Sequence, residues 1–144
     1  MRLDTILRVC SKIFIPFILV FGFYVLFHGH YGPGGGFQAG VIAAAAIILY
    51  AIVFGLAECR RVVPPAVVEA MVPLGVLIFA AVGVWAMMNG GAFLDYDYLF
   101  MHDGLPDRVE GQYWGILFVE VGVFVSVAGT MVALFYAFAG RGLT

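Results

Sequence analysis

Four residues in this chain combine reactive side chains with unusual positions: Glu69, Glu120, His28 and His30. The two glutamates fall inside long apolar segments, and the histidines close the first such segment. An ionisable group at membrane depth costs a few kcal/mol when it faces lipid, so each glutamate should face protein or water. Glu120 lies about two turns into the fourth apolar segment, roughly 10 Å at 1.5 Å per residue. The spans supply no basic residue at that depth. A charged Glu120 therefore needs a cation, water or another subunit; otherwise it keeps its proton. Contact with an ion or proton is the chemistry it offers.

Glu69 sits about one turn into the third segment, where two readings stand side by side. It can snorkel to the interface. Alternatively it works with the carbonyl freed by Pro73, which cannot donate a hydrogen bond four residues on. The glutamates should lie more than about 10 Å apart in a core of about 30 Å, so they do not form one bonded dyad. His28-x-His30 has spacing that lets two imidazoles share a metal, but no third or fourth ligand stands nearby, and no metal is assigned. An interfacial pair that tolerates water, or relays protons near the ordinary histidine pKa of about 6.5, fits better.

Other chemistries lack their residues. There is no nucleophile–base set, HExxH or CxxC. Gly34-x-Gly36-x-x-Ala39 formally fits a relaxed dinucleotide fingerprint, but a membrane helix precedes it where a β-strand is required. Cys10 and Cys59 fall at span ends on the side read below as cytoplasmic, where disulfides are rare. Both read as small apolar fillers.

The elements that position these residues follow from bulk composition. At 64% hydrophobic and 11% charged over 144 residues, the chain is no soluble domain, where charged residues reach about 25%. It reads as one all-α integral membrane unit over residues 1–144, its partners including membrane lipid and no nucleic acid. Four spans are expected: Ile6 or Ile13 to Phe27, Gly35–Ala57, Ala66–Met88 and Tyr113–Ala139. The first resembles the start of a signal peptide, but lacks a cleavage site ahead of the hinge and reads as a retained helix. Loops are expected at His28–Gly34, Glu58–Pro65 and Asn89–Gln112.

Arg2, Arg8, Lys12, Arg60, Arg61 and Arg141 fall on one side of this arrangement, and Arg108 is the basic residue opposite. That bias places both termini in the cytoplasm. The long outer loop carries Asp95, Asp97, Asp103, Asp107 and Glu110, read as solvating charges, while Tyr96, Tyr98 and Tyr113 suit an interfacial belt.

Between the first two spans runs Gly32-Pro33-Gly34-Gly35-Gly36-Phe37-Gln38-Ala39-Gly40. Pro33 ends the preceding segment and the glycines permit a sharp reversal. Gly32, Gly36, Gly40 and Ala44 recur every four residues, a small-residue stripe against which another helix can pack. In the fourth span Gly111, Gly115, Gly122, Ser126 and Gly129 share one face, with Glu120 roughly opposite. That helix should pack along one side and present its carboxylate on the other.

The motif Gly29-His30-x-x-Pro33-Gly34-Gly35-Gly36-Phe37-x-x-Gly40 resembles the signature of the MnhB/MrpB-like family, the second subunit type of the Mrp-type multisubunit cation/proton antiporters. Glu120-x-Gly122-Val123-x-Val125-x-Val127-x-Gly129 is similar to that family's acidic-x-Gly-Val helix, and Gly91-Ala92-Phe93-Leu94 is also in place. The family usually has Asp where this chain has Glu120, one methylene longer. The resemblance implies a small non-catalytic subunit in the cytoplasmic membrane of a prokaryote, without cofactors of its own. The complex would exchange Na+ or another monovalent cation for H+. Its partners would be other subunits, including large complex I-like antiporter subunits. It further implies that His30, Pro33, Gly34, Gly35, Gly36, Phe37 and Gly40 shape the hinge, with Gly122 and Gly129 in the packing helix. Glu120, then Glu69 and His28, are the pathway candidates. Two alternatives remain at this point: an equivalent subunit of an antiporter-linked hydrogenase or sulfur-reducing complex, and a scaffold that touches no ion.

Overall fold

A computed structural model describes residues 2–29, 34–102, 105–106 and 108–141. Its helices are α1 (Arg2–Phe27), α2 (Gly36–Phe54), α3 (Leu56–Val62), α4 (Pro65–Met88) and α5 (Arg108–Arg141). Four of them, all but α3, are long and apolar enough to cross a membrane. Backbone groups in hydrocarbon must be satisfied within the segment, and these apolar runs achieve that as helices. The expected all-α membrane architecture with four spans is the one observed.

Boundaries differ where local chemistry intervenes. The stretch expected as a loop after the second span is instead the short helix α3. Gly55, at φ 98°, breaks the second span's helix at a conformation glycine tolerates, and the chain then coils again. The last helix starts at Arg108, five residues before the expected Tyr113, with Glu110 in its first turn. The helix N-terminus favours that acidic residue. α4 takes Pro65 at its first turn, where no amide hydrogen is needed.

α5 stands between α2 and α4 and makes the principal contacts with both, while α1 packs chiefly on α2. Phe23 of α1 reaches Phe124 of α5, ring centroids 5.7 Å apart. The four-residue stripe of α2 is used within the chain. Gly40 faces the Phe124 carbonyl and Val127, and Ala44 joins a core with Ala51, Cys59, Val68, Val132 and Tyr136. Gly22 likewise lets α1 approach Ile42 and the Ala39 carbonyl.

The glycine face of α5 is spent on its other neighbours. Gly122 meets the backbone of Gly75 and Phe79 in α4, and Gly129 meets Met71 and the Val68 carbonyl. Gly111 and Gly115 admit Tyr96, from the 3-10 turn Tyr96–Tyr98 in the long connection. That connection folds as a cap over the α4–α5 end. Trp85 Nε1 donates to the Leu99 carbonyl at 3.1 Å and Asn89 Nδ2 to that of Tyr98 at 2.8 Å. Met101–His102 pairs antiparallel with Leu105–Pro106. The two faces of α5 thus separate as expected, but both carry packing. Phe17, Val20, Leu77 and Phe138 point outward, as surfaces meant for lipid or neighbouring subunits do.

Candidate functional site

The side chain of Glu120 is half-buried and lies against the turn that opens α2. A Cβ on Gly29 would stand 2.5 Å from its Oε1 and 2.8 Å from its Oε2; one on Gly35 would stand 3.3 Å from Oε1. Any side chain at Gly29 would therefore displace the carboxylate. Gly35 adds a φ of 130°, which L side chains rarely adopt. Gly36, the first residue of α2, packs directly on the Glu120 backbone carbonyl, where a Cβ would overlap it. These glycines and Glu120 therefore form one arrangement. Bare backbone on the hinge makes room for a carboxylate on a helix far away in sequence.

The electrostatics follow from the helix. Gly35 is the N-cap of α2 and offers no side-chain cap. The unsatisfied amide groups and macrodipole there are equivalent to roughly half a positive charge. A carboxylate there can hold a monovalent cation or exchange a proton.

His28 follows the last residue of α1 and immediately precedes Gly29. Its ring is exposed and stacks on Tyr24 with centroids 4.0 Å apart, and Nδ1–H donates to the Tyr24 carbonyl at 3.1 Å. His30 and Pro33 lie outside the described residues. Gly34 continues the hinge against the Val25 carbonyl. Phe37 points outward at 63% exposure, so it belongs to a surface and not to the hinge's interior. Among the described residues no three His, Cys, Asp or Glu side chains gather as metal ligands.

Glu69 is exposed and belongs to the opposite end. It lines a cavity of about 240 Å³ with Arg60, Pro65, Val68, Ala133, Tyr136 and Ala137. Tyr136 is sixteen residues beyond Glu120 in α5, about 24 Å along the axis. The two glutamates do not share a site.

Sequence reading missed the anchor beside that cavity. Tyr136 donates its hydroxyl to the Val63 carbonyl at 2.9 Å, and Cys59 Sγ lies 3.3 Å from the same hydroxyl oxygen. The Cys59 thiol also donates to the Ile47 carbonyl at 3.7 Å. Cys59 is wholly buried, yet it also tethers α3 to α5, whereas Cys10 is exposed. The signal was a tyrosine near the end of an apolar helix, which carries a polar tip that needs a partner once buried. In the long connection, Asp97 accepts from Gln112 Nε2 at 2.9 Å and pairs with Arg108 at 3.3 Å. Its charge helps fasten the cap as well as meeting solvent.

Comparison with known proteins identifies the family. Residues 6–133 match a family described as a domain related to the MnhB subunit of Na+/H+ antiporter. An antiporter subunit mnhB2 of Staphylococcus haemolyticus (strain JCSC1435) is 33% identical over 137 residues, covering 95% of each chain. Its counterpart in Staphylococcus aureus (strain Newman) is 32% identical over 138 residues, again 95% of each. A multi-pass membrane chain, with a glycine turn seated on an intramembrane acid and this similarity along nearly its whole length, belongs to the MnhB family of Na+/H+ antiporter subunits.

Proposed function

We propose that this chain is a small, non-catalytic membrane subunit of a complex that exchanges Na+, or another monovalent cation, for H+, and that Glu120 contacts the ion or proton. The observation that carries the reading is the Glu120 carboxylate resting on Gly29 and Gly35 at the positive end of α2. A helix N-terminus favours an anionic group through its backbone amides and dipole. A carboxylate at that position is available to a passing cation or proton. His28, exposed beside this site, serves at its mouth as a proton relay. The skewed distribution of arginines and lysines supports placing both termini in the cytoplasm, with the hinge opening outward.

The exposed apolar faces of α1 and α4 support assembly with other subunits, the large complex I-like antiporter subunits among them. No cofactor is needed for this role. A second reading makes Glu120 only a cap for α2 that fixes the hinge. Exchange assays on the whole complex in vesicles, with Glu120→Gln, separate the two. Intact assembly with exchange lost supports ion contact, whereas normal exchange leaves only the cap.

A further inference from the structure

The cavity at the Glu69 end is built from two opposite charges that, among the described residues, neither satisfy each other nor find another countercharge. Arg60 is partly buried. Its Nη2 donates to the Tyr136 carbonyl at 3.4 Å and its guanidinium lies 5.5 Å from the Tyr136 ring centroid. Its Nε is buried with no acceptor. The neighbouring Arg61 turns away to pair with Glu58 at 2.9 Å. Among the described residues neither Arg60 nor Glu69 forms an ion pair, though both line the same 240 Å³ space. Arg60 lines this cavity, and the planar fork of a guanidinium suits phosphate oxygens.

Depth narrows the occupant. Glu69 is the fifth residue of α4, so it stands about 6 Å along the axis from the helix start. In a span of 24 residues, longer than a core of about 30 Å requires, that lies at the boundary of the headgroup region. Arg60 lies in α3, immediately before the same helix start. Basic pockets between spanning helices at this level take phospholipid headgroups. The acid in this pocket makes a second demand, for a cation that can donate hydrogen bonds.

We infer that this cavity seats an aminophospholipid headgroup of the phosphoethanolamine type, its phosphate on Arg60 and its ammonium on Glu69. Choline presents methyl groups where the carboxylate needs donors, and glycerol brings no charge. Phosphoethanolamine supplies both partners two carbons apart. Its glycerol and acyl chains run outward over Ala133 and Ala137. The site is independent of the ion contact at Glu120, so either assignment can fail without the other.

Native mass spectrometry of the full-length chain tests this, using equimolar phosphatidylethanolamine, phosphatidylglycerol and phosphatidylcholine with identical acyl chains. The ethanolamine lipid should be retained about tenfold over either competitor, the scale of one charge-assisted hydrogen bond. Glu69→Gln, at an exposed position, should erase that preference while phospholipid binding persists. Arg60→Gln should lower retention of all three lipids. Arg60→Lys, which keeps the charge but loses the fork, should fall between, and circular dichroism should show unchanged helix content in each variant. Equal retention of the three lipids by the wild-type chain overturns the assignment, as does a preference that survives Glu69→Gln.

Discussion

The two ends of this molecule each hold a glutamate from a spanning helix, and they treat it in opposite ways. At the hinge end Glu120 is received by the chain itself, with Gly29, Gly35 and Gly36 stripped of side chains to admit it. At the other end Glu69 stands exposed on a cavity it shares with Arg60, and among the described residues neither forms an ion pair. One acid is prepared by backbone and the other is left for something outside the chain. An acidic residue inside a span thus does not declare its role by depth alone. The surface that meets it decides, and glycine records that surface most clearly.

The contrast can be broken by filling the glycines. Gly36→Val should have the largest effect. Its side chain must enter the space of the Glu120 carbonyl and separate α2 from α5, so the complex should fail to assemble on native gels. Next comes Glu120→Gln. It should leave assembly intact and reduce exchange by at least about tenfold, the worth of one charge-assisted contact.

Gly75→Ala sharpens the comparison from outside the site. A Cβ there would reach Ser126 at 2.5 Å on the α4 face of α5. Overpacking of this kind costs about 1–3 kcal/mol. Thermal denaturation in detergent should shift downward, with exchange per folded complex retained. Cys59→Ala should cost about 1 kcal/mol by removing a hydrogen bond to Tyr136, again without loss of exchange. Glu69→Gln should change exchange least, by less than about twofold, because its carboxylate has no share in the Glu120 site.

The four spans were legible because their apolar runs exceed the length a bilayer requires, and nothing in the tertiary structure overrides that. The glycine face of α5 was legible too, since Gly122 and Gly129 keep helical spacing whatever they touch. What local pattern did not disclose is the partner of each face. The stripe of α2 reads equally well as a seat for another subunit, yet Gly36, Gly40 and Ala44 meet α5 of the same chain. Likewise the hinge and Glu120 were visible as separate features. Their union depends on α2 and α5 meeting across more than eighty residues of sequence. α3 was hidden for a different reason: Gly55, Arg60, Arg61 and Pro64-Pro65 carry loop chemistry, but the Tyr136 and Cys59 hydrogen bonds hold seven residues in helical form.

The central claim is that hinge backbone and intramembrane carboxylate are one device, and a paired substitution probes it most directly. Gly29→Ala places a methyl where the Glu120 carboxylate now rests, and should lower exchange by about tenfold if that position is worth one charge-assisted contact. Glu120→Asp withdraws the carboxylate by a methylene and makes room for that methyl. Exchange measured in vesicles should therefore be higher in the double variant than in Gly29→Ala alone. Losses that simply multiply would mean that the two residues act independently, and would contradict the account.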